Sequence, residues 1–185
     1  SCTGPSSRSR SAGATSASAA PVLGASVFYG GGTITITSGA ASSGYVSELG
    51  LYDPITFLRL SNIDFPSGVI MLDEPSGVTA DITALIADNG IGIGDELLFG
   101  IYVIDTGNTF FMGAASRNSD SVLHAGVDVI DADTVIVGFE DILGGGDTDY
   151  NDNIFEFTGN LAVPEPGTLF LAGLGLLGLG FMRRR

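Results

Sequence analysis

An all-β domain of the β-sandwich or jelly-roll kind, with at most one short helix, is what this sequence predicts. Three observations predict it: short runs alternate apolar and polar residues with period two, Gly, Asp, Asn, Ser or Pro separate most of them, and only one stretch has helical spacing. In Thr33-Ile34-Thr35-Ile36-Thr37 the isoleucines fall on one face of a strand and the threonines on the other. Similar runs occupy Ile55–Leu60, Gly68–Leu72, Leu97–Ile104, Thr109–Met112, Val127–Ile130, Thr134–Phe139 and Asn153–Phe157. About eight such strands fit one sandwich, whose inner faces bury apolar surface at about 25 cal/mol per Å². The helix candidate is Ser76–Asp88, where Val78, Ile82, Leu85 and Ile86 recur between Pro75 and Asn89-Gly90.

The chain divides into three parts. Residues 1–20 are almost entirely Ser, Ala, Gly, Thr and Arg and are expected to be a disordered leader or signal-peptide remnant. Ala17-Ser18-Ala19 has the small-residue pattern of a signal-peptidase site, although no apolar stretch precedes it. Residues 21–162 hold the strand pattern, and residues 163–185 form a separate tail.

Charge narrows the partners. The 185 residues carry 21 acidic and 7 basic side chains, a formal charge of −14, and every basic residue is Arg. Arg59 and Arg117 alone lie in the body, where almost all carboxylates lie as well. Such a surface repels phosphate backbones, so nucleic acid is excluded as a partner, and it gathers cations. A hydrophobic content of 44% is too high for an acidic disordered chain. Cys2 is the single cysteine, so neither an internal disulfide nor a Cys-rich zinc site is available.

Enzymatic signatures are sparse. His124 is the only histidine, its serine neighbours are Ser119 and Ser121, and nothing resembles a nucleophile elbow. Gly90-Ile91-Gly92-Ile93-Gly94 lacks the Lys of a phosphate-binding loop and the third-Gly spacing of a dinucleotide fingerprint. A glycosidase needs only two carboxylates, which the chain has in excess. Yet Trp is absent, which reduces sugar-stacking platforms to Tyr and Phe.

The densest segment runs from Val137 to Phe155 and places five acidic residues, Glu140, Asp141, Asp147, Asp149 and Asp152, within thirteen positions. Two unit charges about 4 Å apart repel by about 1 kcal/mol even in water, and more when partly buried. Asp147, Asp149 and Asn151 form a D-x-D-x-N opening, in which hard oxygens at alternate positions converge on Ca²⁺ once the backbone curls, and Gly144 to Gly146 permit the curl. The EF-hand pattern itself fails, because Asp152 stands at the sixth position, where Gly is needed, and Thr158 at the twelfth, where a bidentate Glu belongs. The expectation is a calcium loop on a β scaffold, with Glu140, Asp141 and Asp152 as further oxygen donors. The alternative is a solvated acidic turn whose Asp and Asn side chains cap backbone N–H groups.

This segment resembles the signature of the DUF4114 family, in which Gly-Phe-Glu-Asp leads through Gly-Gly-Gly-Asp to Asp-Tyr-Asn-Asp and another strand. With Asn108-Thr109-Phe110-Phe111, Asn118-Ser119-Asp120 and His124, the resemblance covers roughly residues 97–157. It implies an exported bacterial protein and no defined activity. Asn153 departs from the pattern, standing where an apolar residue is more usual.

The tail opens with Val163-Pro164-Glu165-Pro166, continues from Leu169 through Leu176 to Met182 without a polar side chain, and ends in Arg183-Arg184-Arg185. As a helix the apolar run spans roughly 21–24 Å, short of the ~30 Å hydrocarbon core, a gap that snorkelling Arg and local thinning cover. The arginines favour the cytoplasmic side and leave the acidic body outside. Pro164, Glu165 and Pro166, the Gly- and Leu-rich run and the Arg cluster resemble the PEP-CTERM sorting signal of Gram-negative bacteria. That resemblance implies recognition by an exosortase in the membrane, processing near the Pro-Glu-Pro motif and hosts that make extracellular polysaccharide.

The expected function is an exported surface or matrix protein whose non-catalytic, calcium-supported β module is sorted by its tail. A calcium-dependent carbohydrate-binding domain acting on exopolysaccharide is the alternative, and a hydrolase ranks third.

Overall fold

The computed structural model describes residues 20–63 and 77–164, and there the alternating runs become two antiparallel sheets. In chain order the elements are β1 (Val22–Leu23), β2 (Val27–Tyr29), β3 (Thr35–Ser38), β4 (Ser47–Tyr52), β5 (Arg59–Asn62), β6 (Thr79–Asp81), α1 (Thr83–Asp88), β7 (Glu96–Val103), β8 (Asn108–Phe111), a 3₁₀ turn at Ala115–Arg117, β9 (Ala125–Val129), β10 (Thr134–Phe139), β11 (Asn153–Thr158) and β12 (Leu161–Ala162). One sheet has the order β1-β9-β10-β11-β3-β6 and the other β12-β2-β7-β4-β5. Strand β8 also pairs with β7, Gly100 lying opposite Phe111. The protein is an all-β sandwich with one short helix among the described residues.

Alternation explains which residues meet between the sheets. Ile34 and Ile36, then Val135, Val137 and Phe139, then Phe155 and Phe157 all point inward from the first sheet. Leu49, Leu51, Leu97, Phe99, Ile101 and Val103 answer them from the second. The rings of Phe99 and Phe157 meet at a centroid distance of 4.6 Å and tie the layers at their centre.

Strand β4 has no period-two signature because both its faces are covered: residues 49–52 are all buried, and the Tyr52 ring lies edge-on to Phe111 at 5.0 Å. Outside the core, the expected strand at Ile55–Leu60 is instead mostly a turn. The Asp53 carboxylate accepts the N–H groups of Ile55 and Thr56 and the Thr56 hydroxyl, Phe57 takes a left-handed φ of 57°, Ile55 is 84% exposed, and pairing starts only at Arg59.

The expected helix over Ser76–Asp88 also divides, with Ser76 outside the described residues. Thr79–Asp81 pairs with β3, Ala80 facing inward while the Thr79 and Thr37 hydroxyls meet at 3.0 Å, and only Thr83–Asp88 is helical. Positions 78, 80 and 82 fit a strand and 82, 85 and 86 a helix, so one apolar series served both. Pairing with β3 captured the first half, and the Asp81 carboxylate, accepting the Thr83 N–H at 2.8 Å, turns the chain into the second.

Asn153, at the start of β11, is 3% exposed and lies opposite Phe139, and the strand beyond it buries Phe155 and Phe157. The expected strand at Gly68–Leu72, most of the 1–20 leader and the apolar tail lie outside the described residues.

A side chain does the work of a strand beside β8. Asn118, 4% exposed, accepts the Phe111 N–H at 2.7 Å and donates to the carbonyls of Phe111 at 3.2 Å and Val122 at 2.9 Å. Asn118→Ala leaves these buried backbone groups without partners and is expected to lower stability by about 2–4 kcal/mol in urea unfolding. Asn118→Asp, which keeps the acceptor and loses the donors, is expected to recover only part of it.

Candidate metal centre

The loop between β10 and β11 carries the acidic segment. Glu140 and Asp141 follow the last residue of β10, and Asn153 opens β11, so both ends of the loop are held by the Phe139–Asn153 pair. Glycines 144, 145 and 146 all have positive φ, of 86°, 82° and 52°, and provide the curl. Thr148 and Tyr150 also take left-handed φ, 63° and 55°, a strained conformation for non-glycine residues.

The curl folds the loop back over the outer face of the sheet. It passes so close that a Cβ on Gly138 would lie 2.0 Å from the Tyr150 carbonyl oxygen. At that crossing the Tyr150 N–H donates to Glu140 Oε1 at 2.5 Å. Glu140 is fully buried, and its second oxygen, Oε2, has no hydrogen-bond partner. Carboxylate oxygens of Glu140, Asp147 and Asp149 lie within 4.8 Å of one another, Glu140 from the floor and the two aspartates from the exposed rim.

Of the six ligands expected from sequence, three thus converge. Asn151 sits beside them, its amide nitrogen 2.5 Å from Asp149 Oδ2 and its N–H facing Asp149 Oδ1 at 3.3 Å. Asp141 and Asp152 are not among these three, although the Asp152 charge also acts on Glu140. Asp141 is 1% exposed, its Oδ2 accepts the Ser43 hydroxyl, and its N–H donates to Asp152 Oδ2 at 3.1 Å.

Both buried acids resist ionisation. Burial pushes the Glu140 carboxyl up, the Tyr150 N–H opposes this, and the charges of Asp152, Asp147 and Asp149 add to the rise. For Asp141 burial again leads, the Ser43 hydroxyl and the Asn153 side chain oppose it, and Asp152 adds to it. No protein cation relieves them: among the described residues, Arg59 is paired with Glu48 at 2.9 Å and Arg117 with Glu96 at 2.7 Å. An unpartnered buried carboxylate oxygen facing two more carboxylates is a costly arrangement that a hard divalent cation relieves.

A rigid frame holds the loop from behind. The His124 ring, fully buried and stacked on Phe110 at 3.9 Å, has Nδ1 3.0 Å from the Glu140 carbonyl and Nε2 2.9 Å from Asp120 Oδ2. The Glu140 N–H donates back to the His124 carbonyl, and Asp120 Oδ2 also accepts the Gly144 N–H at 2.8 Å. Partial burial works against the Asp120 charge, but the Gly144 N–H, the His124 ring and the Val122 N–H outweigh it and bring the carboxyl down to about 2. Ser43, Gly138, Tyr150 and this frame were not legible as parts of the site. Ser43 is 98 residues from Asp141 along the chain, and Tyr150 contributes its backbone rather than its ring.

Fold and loop together define a class, a small acidic β-sandwich with a carboxylate-lined loop at one end of a sheet. Residues 88–160 match the model of DUF4114, a domain of unknown function, and residues 162–185 match the PEP-CTERM protein-sorting motif. No curated protein and no solved structure matches the chain. The chain therefore carries a PEP-CTERM sorting motif behind a DUF4114-like domain, and that motif marks an exported protein sorted to the cell envelope through an exosortase. Of the matched residues 162–185 only Ala162, Val163 and Pro164 are described. Glu165, Pro166, Leu169, Leu176 and Arg183 to Arg185 lie outside the described residues, and no helix among the described ones is long and apolar enough to cross a membrane.

Proposed function

We propose that this protein is a non-catalytic surface or matrix module whose acidic loop binds Ca²⁺ once the chain has been exported. Glu140, Asp147 and Asp149 are the ligands in this reading, with Asn151 beside them. The observation that carries it is Glu140 Oε2, fully buried and without a partner, next to two carboxylates. The apolar tail and Arg183, Arg184 and Arg185 hold the precursor in the membrane, processing occurs near Pro164, Glu165 and Pro166, and residues 21–162 are the part displayed or released. An open extracellular loop of this kind has a dissociation constant of about 10⁻⁴–10⁻³ M, useful where calcium is millimolar.

Calorimetric titration of the full chain in detergent with CaCl₂ tests the reading. Wild type is expected to bind in that range, and Glu140→Gln, Asp147→Asn and Asp149→Asn are each expected to weaken binding about tenfold or more, the loss of one charged ligand being worth at least about 1.4 kcal/mol. Binding unchanged in all three variants removes these residues from the site.

A second reading, calcium-dependent binding of extracellular polysaccharide, is favoured by one feature. A trough of about 250 Å³ adjoins the loop, floored by Gly126, Ile136, Gly138 and Ile154 and edged by Asp128, Asp149, Tyr150 and Asn151. An apolar floor with a few polar groups on its rim suits a sugar ring. Heat on adding host polysaccharide that appears only after calcium supports this reading, and no heat in either state removes it.

A further inference from the structure

Two glycines facing each other across β9 and β10 make the trough beside the acidic loop. Gly126 lies opposite Gly138 in the ladder, and each lets a wall come down close to the sheet. A Cβ on Gly126 would lie 3.0 Å from Pro21 Cβ, and one on Gly138 would meet the Tyr150 carbonyl. Between these walls Ile136 and Ile154 give an apolar floor to a hollow of about 250 Å³. Sites that enclose a whole small ligand hold roughly 300–1,000 Å³, so this trough suits one ring of a longer chain.

Charge decides which ring. Asp128 stands on one side of the trough and Asp149 on the other. Ile136 is flanked in register by Asp128 on β9 and by Glu156 on β11, whose side chains share its face. Burial pushes the Asp128 carboxyl up, with no cation to oppose it. Among the described residues the only arginines, Arg59 and Arg117, are tied to Glu48 and Glu96 of the other sheet, and the chain has no lysine. A uronate meets repulsion here and a neutral sugar gains no ion pair, whereas an ammonium on the ring answers the carboxylates. Beyond Glu156 the same face continues with the hydroxyls of Thr35, Thr37 and Thr158, which suit the neighbouring units of a polymer.

We propose that the trough binds a polysaccharide of amino sugars, one ring lying on Ile136 and Ile154 with its ammonium paired to Asp128. This deepens the polysaccharide reading of the trough and rests on it. Asp128 is not among the three carboxylates that converge in the loop, so calcium and the ammonium use different side chains. Calcium on Glu140, Asp147 and Asp149 would hold the Tyr150 wall in place, which makes sugar binding follow calcium.

Calorimetric titration of the full chain in detergent at pH 6 with CaCl₂ tests this, the probes being a glucosamine tetramer, its N-acetylated form, a galacturonate tetramer and tetralysine. The glucosamine tetramer is expected to bind about tenfold or more tightly than the N-acetylated one, and the galacturonate tetramer not to bind. Asp128→Asn is expected to erase that preference while calcium binding stays as in wild type, which shows the variant to be folded. Ile136→Thr is expected to weaken both sugars alike. A preference unchanged in Asp128→Asn, or equal binding of the two sugar tetramers to wild type, overturns the amino-sugar assignment and leaves the polysaccharide reading standing. Tetralysine bound as tightly as the glucosamine tetramer overturns it in favour of indiscriminate attraction of cations. No sugar bound with or without calcium overturns both.

Discussion

Gly138→Ala is expected to weaken calcium binding by about tenfold to a hundredfold without altering any ligand. The substituted methyl would sit 2.0 Å from the Tyr150 carbonyl oxygen, and backbone cannot yield as a flexible side chain can. The loop must lift from the sheet, which breaks the Tyr150–Glu140 hydrogen bond and separates Glu140 from Asp147 and Asp149. Overpacking of this kind costs about 1–3 kcal/mol of stability, and the same displacement in the site lowers affinity by about tenfold to a hundredfold. Calorimetry on the variant with a parallel urea melt checks both. The decisive pattern is a loss of binding larger than the loss of stability explains, while a variant that binds calcium like wild type shows that the loop does not need to lie against the sheet.

Stability without calcium is expected to fall as pH rises from mildly acidic to neutral, and calcium is expected to reverse that slope. Glu140 and Asp141 have carboxyls raised above their ordinary values of 4.5 and 3.8. In this range the native state therefore binds more protons than the unfolded chain, so the advantage is full below the unfolded values and is lost as pH climbs through the raised folded ones. Asp120, Glu96, Asp53 and Asp81 have lowered carboxyls and act in the opposite sense, their contribution disappearing only as pH drops through their folded values, at about 2 for Asp120. Stability of the calcium-free protein is thus expected to peak at roughly pH 4, near the ordinary carboxylate values where the two windows meet. Calcium competes with protons for the same oxygens, so its stabilising effect grows toward pH 7. Thermal melts between pH 4 and 8, with EDTA and with calcium, check the sign. Parallel curves in the two conditions contradict it.

Several strands legible in the sequence bury one face, whereas β7 was legible although both its faces are covered. Ile34 and Ile36, the run Thr134–Phe139 and the run Asn153–Phe157 all keep period two because solvent or loop lies on their other side. Strand β4 was not legible, since Tyr52 and its neighbours are covered on both faces and alternation vanishes. Strands β1, β2, β6 and β12 span two or three residues each, too few for any period, and exist because a neighbouring strand offers them partners. At the site, residue types and spacing marked the acidic segment but could not divide it. Which oxygens converge depends on Gly138 admitting the loop, on the backbone of Tyr150 and on Ser43 arriving from another strand connection. The Asp120–His124 frame was equally invisible, for its two hydrogen-bonded ends meet only after β9 and β10 have paired.

The central claim is that the buried Glu140 carboxylate and the exposed Asp147 and Asp149 share a cation in the folded exported protein. Thermal unfolding of the full chain in EDTA and in 10 mM CaCl₂ at pH 7 tests it most directly. With a dissociation constant of about 10⁻⁴–10⁻³ M, calcium adds about 1.4–2.7 kcal/mol. That corresponds to a midpoint about 3–11 °C higher for a chain of this size, and Glu140→Gln removes most of the increase. Identical midpoints in EDTA and calcium, with Asp147→Ala and Asp149→Ala melting like wild type in both, would contradict the account.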